Sequence, residues 1–313
     1  MNSTMVRRVT LSIALTAALA GVTACNSSGS SGSSGKNDKA GHKSATRVSP
    51  IAALRSAERS TDGADSARVE STTTMGSLMS MKSGGVMGWG NGLTGDLTIT
   101  YTGGTMADTM RKMGSTSMEA RYLPDAYYAR MGDTFARQAG GKHWLRYGYD
   151  DLAKFGGGSG ALLKDQAQNS SPNQSVKLLL ASGDVRKVGE ETVRGARTTH
   201  YAGTVDVADF AARSSHLTAR QLADMKKQFT TAGITTETVD IWVDGKDLLV
   251  KAVSKAEMTG GTMSATTYYS DYGVKVSAAA PPAGDTEDFT DLLKKQGVTP
   301  GSGDTSTGSG TSS

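Results

Sequence analysis

Short stretches in which polar and apolar residues alternate recur from residue 68 to residue 278 of the chain. Alternation of this kind places apolar side chains on one face of a β-strand, so it predicts strands with one buried face. Turn-forming pairs separate successive stretches, as at Pro124-Asp125, Asp244-Gly245 and Gly260-Gly261, which predicts antiparallel hairpins. Strands and helices do not alternate regularly, so the pattern indicates an α+β fold with a long antiparallel sheet rather than a doubly wound parallel sheet.

Helices are expected at both ends of this strand-rich region and at two insertions within it. Ser49-Pro50 is a helix cap followed by proline at the first helical position. Short helices are expected between residues 149 and 182, a helical pair over 207–231 and a closing helix over 288–296. The strands are expected to end with one over 274–278, and Gly84-Gly85 is expected to loosen any strand around it.

The N-terminus has the pattern of an export signal. Arg7 and Arg8 precede an uncharged apolar run over residues 9–20, which is too short to cross a bilayer as a permanent helix and therefore indicates a cleavable signal. The segment Val22-Thr23-Ala24-Cys25 resembles a bacterial lipobox. That resemblance implies cleavage between Ala24 and Cys25, diacylglycerol on the Cys25 sulfur and an acyl chain such as palmitate on its new amino group.

Such an anchor would hold the protein on the extracytoplasmic face of the cell membrane. Several acyl chains bury many methylenes at about 0.8 kcal/mol each, so we expect stable anchoring. The alternative is an ordinary secretory signal with an incidental free cysteine. Export by the general secretory route and by the twin-arginine route both stay open, because two arginines do not decide between them.

The chain divides into four parts by composition. Residues 1–24 are the predicted signal peptide, and residues 25–47 carry the lipidated cysteine and a flexible Ser/Gly-rich tether. Residues 48–298 are the predicted folded domain. Residues 299–313 resemble the tether in composition and are expected to be disordered.

Charge and cysteine content exclude several classes of function. The 34 Lys and Arg against 30 Asp and Glu are too balanced for a dedicated nucleic-acid binder. The single cysteine excludes a disulfide framework and a multi-cysteine zinc site. The four histidines (His42, His143, His200 and His216) are scattered, so we expect no metal site, no cofactor and a structural hydrogen bond for His200. No nucleophile and base pair marks an enzyme, so no catalytic residue is assigned.

Two further patterns have competing interpretations. Residues 90–95 match the spacing of a dinucleotide-binding turn, but a strand follows instead of a helix, which favours a glycine-rich hairpin. Methionines cluster between residues 75 and 113. They could fill the core, line a surface for an apolar ligand or, through Met110 and Met113, bind Cu(I).

The stretch over residues 188–282 carries a family resemblance. Its marks are the run from Gly195 to Asp206, Ile241-Trp242-Val243-Asp244, and the run from Tyr269 to Gly273 before Ala280-Pro281-Pro282. In this order they resemble actinobacterial cell-envelope lipoproteins of the LppX and LprG type, which share the architecture of the lipoprotein carrier LolA and the regulator RseB. The resemblance implies a curved antiparallel half-barrel sheet with helices covering its concave face and an apolar cavity between them.

Two functions follow from this picture. The first is a non-enzymatic lipoprotein that binds or carries a lipid or lipoglycan in the cavity, with the helices of 207–231 as a lid. The second is an interaction or sensing module like RseB, with a filled cavity and an envelope protein as partner. A cavity above ~1,000 Å³ would favour carriage, and one well below ~300 Å³ would not. The candidate lining residues are Leu97, Ile99, Tyr101, Val239, Ile241 and Val243.

Overall fold

The computed structural model describes residues 49–151, 171–207 and 219–295. The predicted signal peptide, Cys25, the tether and the tail at 299–313 lie outside these residues. The described strands form one open, curved sheet of 12 strands. Their spatial order is β12-β6-β5-β4-β3-β2-β1-β11-β10-β9-β8-β7. The strands are β1 Ser66–Met75, β2 Met79–Gly88, β3 Thr94–Gly103, β4 Ser117–Tyr122, β5 Ala126–Arg130, β6 Trp144–Gly148, β7 Arg186–Val193, β8 Ala196–Asp206, β9 Thr236–Asp244, β10 Leu249–Met258, β11 Gly261–Ser270 and β12 Thr286–Asp288.

The described helices lie before, between and after these strands. They are α1 Pro50–Asp62, α2 Gly104–Lys112, α3 Asp133–Gln138, α4 Asn173–Ala181, α5 Ala219–Ala232 and α6 Phe289–Lys295. The first begins as the sequence predicts, because the Ser49 hydroxyl accepts a hydrogen bond from the Ala52 amide at 3.2 Å and Pro50 follows the cap. The α+β fold with a curved antiparallel sheet and covering helices is confirmed.

The main core lies where α1 and α4 pack on the concave face of β8, β9 and β10. Leu54 of α1 and Leu179 of α4 are fully buried there. They meet Val239, Ile241 and Val243, which share one face of β9 because their spacing is two. Burial of these side chains holds the two helices on the sheet.

A second core lies at the other end of the sheet. Leu145 and Tyr147 of β6 pack against Phe289 and Leu292 of α6, with the rings of Tyr147 and Phe289 4.8 Å apart. The closing helix is therefore confirmed. The short strand β12 just before it pairs in parallel with β6, the one parallel pair in the described sheet.

The predicted strand over 274–278 is wrong. Residues 274–280 have no regular secondary structure and run across the ends of other strands. The Ser66 hydroxyl donates to the Val274 carbonyl at 2.6 Å, and the Arg121 guanidinium donates to the Ala279 carbonyl at 3.1 Å. Two backbone carbonyls of the segment therefore accept from side chains of β1 and β4 instead of pairing with a further strand.

The expectation that Gly84-Gly85 loosens a strand is also wrong. The strand β2 is continuous through both glycines and pairs with β1 and β3 on its two sides. A Cβ at Gly85 would lie 2.0 Å from the Asp96 carbonyl oxygen. Glycine is needed here because the backbones of β2 and β3 approach too closely for a side chain.

Candidate functional site

A cavity of about 290 Å³ opens between the concave face of the sheet and the N-terminal half of α4. The sheet contributes side chains at a spacing of two, as expected for one face of each strand. The helix contributes Gln174, Ser175 and Leu178, preceded by Ser171 and Pro172. Trp89 and Leu93 of the loop between β2 and β3 also line the cavity. The lining residues on the strands are Val69, Ser71, Thr73, Met87, Leu97, Glu237, Val239, Ala252, Ser254, Ala265, Thr267 and Tyr269.

The polarity of this lining changes along the strands. We call residues that are paired side by side across neighbouring strands one level of the sheet. Near the start of β1, Val69 pairs with Tyr269 of β11 and with Gly85 of β2, which pairs with Leu97 of β3, so these residues form one level. On the next level, Ser71 pairs with Thr267, and their hydroxyl oxygens are 3.1 Å apart.

The polar side chains continue toward the end of β1. Thr73 pairs with Ala265, which itself pairs with Ser254. Glu237 lies one level further, opposite Ala256. The cavity therefore runs from an apolar end near Trp89 and Leu93 to a polar end at Glu237.

Glu237 is the charged residue among the described lining side chains. Its exposed fraction is 8%. Burial raises the pKa of its carboxyl to about 7, against the opposing effect of a hydrogen bond with Ser254. It forms no ion pair with any residue in the described part of the chain. A carboxyl in this setting can be neutral or charged near neutral pH.

The six residues predicted to line a cavity fall into three places. Leu97 and Val239 line the cavity. Ile241 and Val243 lie in the main core beneath the helices, with exposed fractions of 0% and 5%. Ile99 and Tyr101 share the face of Leu97 on β3, and the structure does not place them in the lining of this cavity.

Sequence reasoning missed Glu237 and the hydroxyl-bearing residues. A signal for Glu237 was present, because it stands two residues before Val239 and is therefore in phase with the buried face of β9. The helix was also placed differently: the described helical lining comes from α4 rather than from 207–231. Residues 208–218 lie outside the described residues, and α5 contributes no described lining side chain.

The histidines serve structural contacts where they are described. His200 shares a hydrogen bond with Asp240, Nε2 to Oδ1 at 2.7 Å, and its ring stacks on Trp242 at 4.2 Å. The hydrogen bond predicted for His200 is therefore present. His143 Nδ1 lies 2.7 Å from Asp285 Oδ1. His42 and His216 are outside the described residues, and within these residues no group of three or more His, Cys, Asp or Glu could hold a metal ion.

The two patterns with competing interpretations are also placed by the structure. Residues 90–93 lie in the loop between β2 and β3, and Thr94 and Gly95 begin β3, which confirms the glycine-rich hairpin. Among the methionines, Met75, Met79 and Met110 are buried, and Met87 lines the cavity.

No helix in residues 49–151, 171–207 or 219–295 is long and apolar enough to cross a membrane.

Comparison with known proteins gives relatives in Streptomyces. No protein-family model matches the chain. A Streptomyces coelicolor protein whose name describes it as a candidate lipoprotein is 50% identical over 316 residues, covering 95% of this chain and 100% of the relative. An uncharacterized 31.2 kDa protein of Streptomyces griseus, encoded between rplA and rplJ, is 57% identical over 257 residues, covering 82% of this chain and 84% of the relative.

Among solved structures, a remote similarity is found to a mycobacterial lipoprotein. The crystal structure of LppX from Mycobacterium tuberculosis is similar with a TM-score of 0.46 and 16% identity. The similarity covers 74% of this chain and 98% of LppX.

Proposed function

The chain belongs to the lipoprotein family of its Streptomyces coelicolor relative, and we propose that it is a membrane-anchored, non-enzymatic envelope protein that binds a single-chain lipid in the cavity under α4. The anchor would be Cys25, acylated after cleavage at Ala24, on the extracytoplasmic face of the membrane. The protein would thus hold its ligand close to the bilayer from which a lipid could be taken.

The observation that carries this proposal is the cavity itself, apolar at one end and polar at the other. An acyl chain would lie against Val69, Met87 and Leu97, where burial of apolar surface contributes about 25 cal/mol per Å². The polar end of the lipid would lie near Ser254 and Glu237. This arrangement matches an amphiphile better than a wholly apolar or a wholly polar ligand.

The volume sets the size of the ligand. At about 290 Å³, the cavity lies at the lower limit of ordinary ligand pockets, which begin at ~300 Å³. The proposal is therefore one acyl chain, not a lipid or lipoglycan with several chains. Because the volume is small, the alternative function is the competing outcome of the test: an interaction module with a filled cavity and a protein partner.

A direct test uses the mature chain with Cys25→Ser, so that no detergent is needed. Binding of dodecanol, a neutral single-chain amphiphile, is measured by calorimetry and by native mass spectrometry. Ala265→Phe places a ring in the cavity, whereas Thr266→Phe places the same ring on the opposite face of β11.

We expect dodecanol to bind the unmodified cavity and the Thr266→Phe variant, and to lose at least about tenfold in affinity with Ala265→Phe. Equal affinity of the two phenylalanine variants would overturn the proposed site. Absence of binding to the unmodified cavity would favour the filled module with a protein partner.

A further inference from the structure

We infer that Glu237 makes the cavity selective for single-chain amphiphiles whose polar end is a protonated amine. This inference rests on the proposed function, since it names the ligand class of the same cavity. Its basis is the position of one buried carboxyl group at the polar end of a lining that otherwise has hydroxyl, amide and apolar side chains.

The position of Glu237 directs its carboxyl to the cavity. Glu237 and Val239 occupy the same face of β9, and both line the cavity. The neighbours of Glu237 across the sheet are Val205 on β8 and Ala256 on β10, both apolar and buried. A ligand at the polar end would therefore meet the carboxyl beside the Ser254 hydroxyl.

A comparison within the molecule shows what Glu237 lacks. Glu287 on β12 is buried to a similar degree, but its carboxylate is paired with Lys142 at 2.6 Å and with Lys295. These two ammonium groups lower the pKa of Glu287. Burial raises the pKa of Glu237, which has no such partner among the described residues. A ligand amine would supply the missing cation and form a charge-assisted hydrogen bond.

The other charged groups around the site do not take this role. On the helices above the cavity, the Lys177 ammonium is 4.0 Å from the Glu58 carboxylate. On the neighbouring strand, Lys255 and Glu257 flank Ala256 and therefore point to the opposite face of the sheet. Tyr269 is the other titratable side chain in the described lining, and burial raises its pKa, so it stays neutral. Among the described lining side chains, Glu237 is therefore the one that can carry a charge at the polar end.

The experiment compares three probes of equal chain length on the mature Cys25→Ser chain: dodecylamine, dodecanol and dodecanoate. At pH 8 the amine is a cation and the carboxylate an anion. We expect dodecylamine to bind at least about tenfold more tightly than dodecanol, and dodecanoate to bind more weakly than dodecanol. Glu237→Gln keeps the shape of the side chain and should bring dodecylamine to the affinity of dodecanol.

The readout is the ratio of the dodecylamine and dodecanol affinities within each variant, and circular dichroism checks that Glu237→Gln is folded. Between pH 6 and pH 8, the preference for the amine should rise in the unmodified chain and stay constant in Glu237→Gln. If dodecanol binds but the amine is not preferred, or the preference survives Glu237→Gln, the inference is overturned and the proposed function stands. If none of the probes binds, both fail.

Discussion

At the scale of single residues, two glutamates show how partners decide the state of a buried carboxyl. Glu287 is held as a carboxylate by Lys142 and Lys295, which contribute hydrogen bonds and opposite charge. Glu237 lies between apolar neighbours and has only Ser254 as a described hydrogen-bond partner. Burial without a counter-charge favours the neutral acid, so Glu237 should respond to pH in a way that Glu287 does not.

This difference predicts a pH-dependent stability that comes from Glu237. Its folded pKa of about 7 lies above the ordinary value of 4.5, so its stabilising contribution is complete below pH 4.5 and is lost as the pH rises through 7. At about 1.4 kcal/mol per pKa unit, the loss is roughly 3 kcal/mol. Urea unfolding of the Glu237→Gln variant should lack this decline between pH 5 and pH 8. Parallel pH profiles for the two proteins would contradict the prediction.

A second residue-scale prediction concerns the adjacent glycines of β2. Gly85→Ala places a Cβ against the Asp96 carbonyl and Leu97, so we expect a loss of about 1–3 kcal/mol in the free energy of unfolding. Gly84→Ala is the matched control, because its Cβ would meet its nearest atoms at 3.9 Å. Chemical denaturation measures both. Similar stability of the two variants would show that β2 and β3 do not approach as described.

At the scale of elements, the cover of the cavity depends on two helices that support each other. α1 and α4 share the main core, and the Asn173 side-chain amide at the start of α4 donates to the Glu58 carbonyl in α1 at 2.7 Å. Gly203 on β8 gives α4 room, since a Cβ there would lie 2.7 Å from Leu179. The position of α4 over the cavity therefore depends on contacts from two other elements.

Shortening a side chain of α1 should accordingly destabilise the fold only where that side chain lies on the buried face of the helix. Leu54→Ala removes a fully buried side chain from the core and is expected to cost about 2–5 kcal/mol. Ile51→Ala removes an aliphatic side chain from the same helix at a site that is 48% exposed, and its effect should be within about 0.5 kcal/mol. Thermal or urea unfolding distinguishes them. Equal losses would mean that α1 does not pack by the face that contains Leu54.

At the scale of the whole molecule, the proposed anchoring depends on the N-terminus and the proposed ligand binding depends on the sheet. The family assignment and the lipobox-like segment both support an anchored protein. Cys25→Ser should therefore abolish incorporation of labelled palmitate and move the protein from the membrane fraction to the soluble fraction, because no acyl chain remains to bury. Ser27→Ala should leave both properties unchanged. Retention of Cys25→Ser in the membrane fraction would contradict lipid anchoring.

Much of the fold could be predicted because it is recorded in local periodicity. The alternation at 97–101 and 239–243, the cap at Ser49 and the turn at Pro124-Asp125 all correspond to elements of the structure. The prediction of a strand over 274–278 is wrong because backbone carbonyls of the segment 274–280 accept hydrogen bonds from Ser66 and Arg121, which are far away in sequence. The same limit applies to the cavity, where Val239 and Ile241 share one strand face but only Val239 lines the cavity.

The sequence by itself predicted an export signal and determined the strand-rich α+β class and the antiparallel hairpins, since each depends on residues that are neighbours along the chain. Only the tertiary structure decided where the cavity lies, that α4 covers it and that Glu237 is buried at its polar end. These features depend on the curvature of the sheet and on helices packed across it, which bring together residues separated by long stretches of chain. A pattern of period two identifies the face on which a side chain lies, but not what packs against that face.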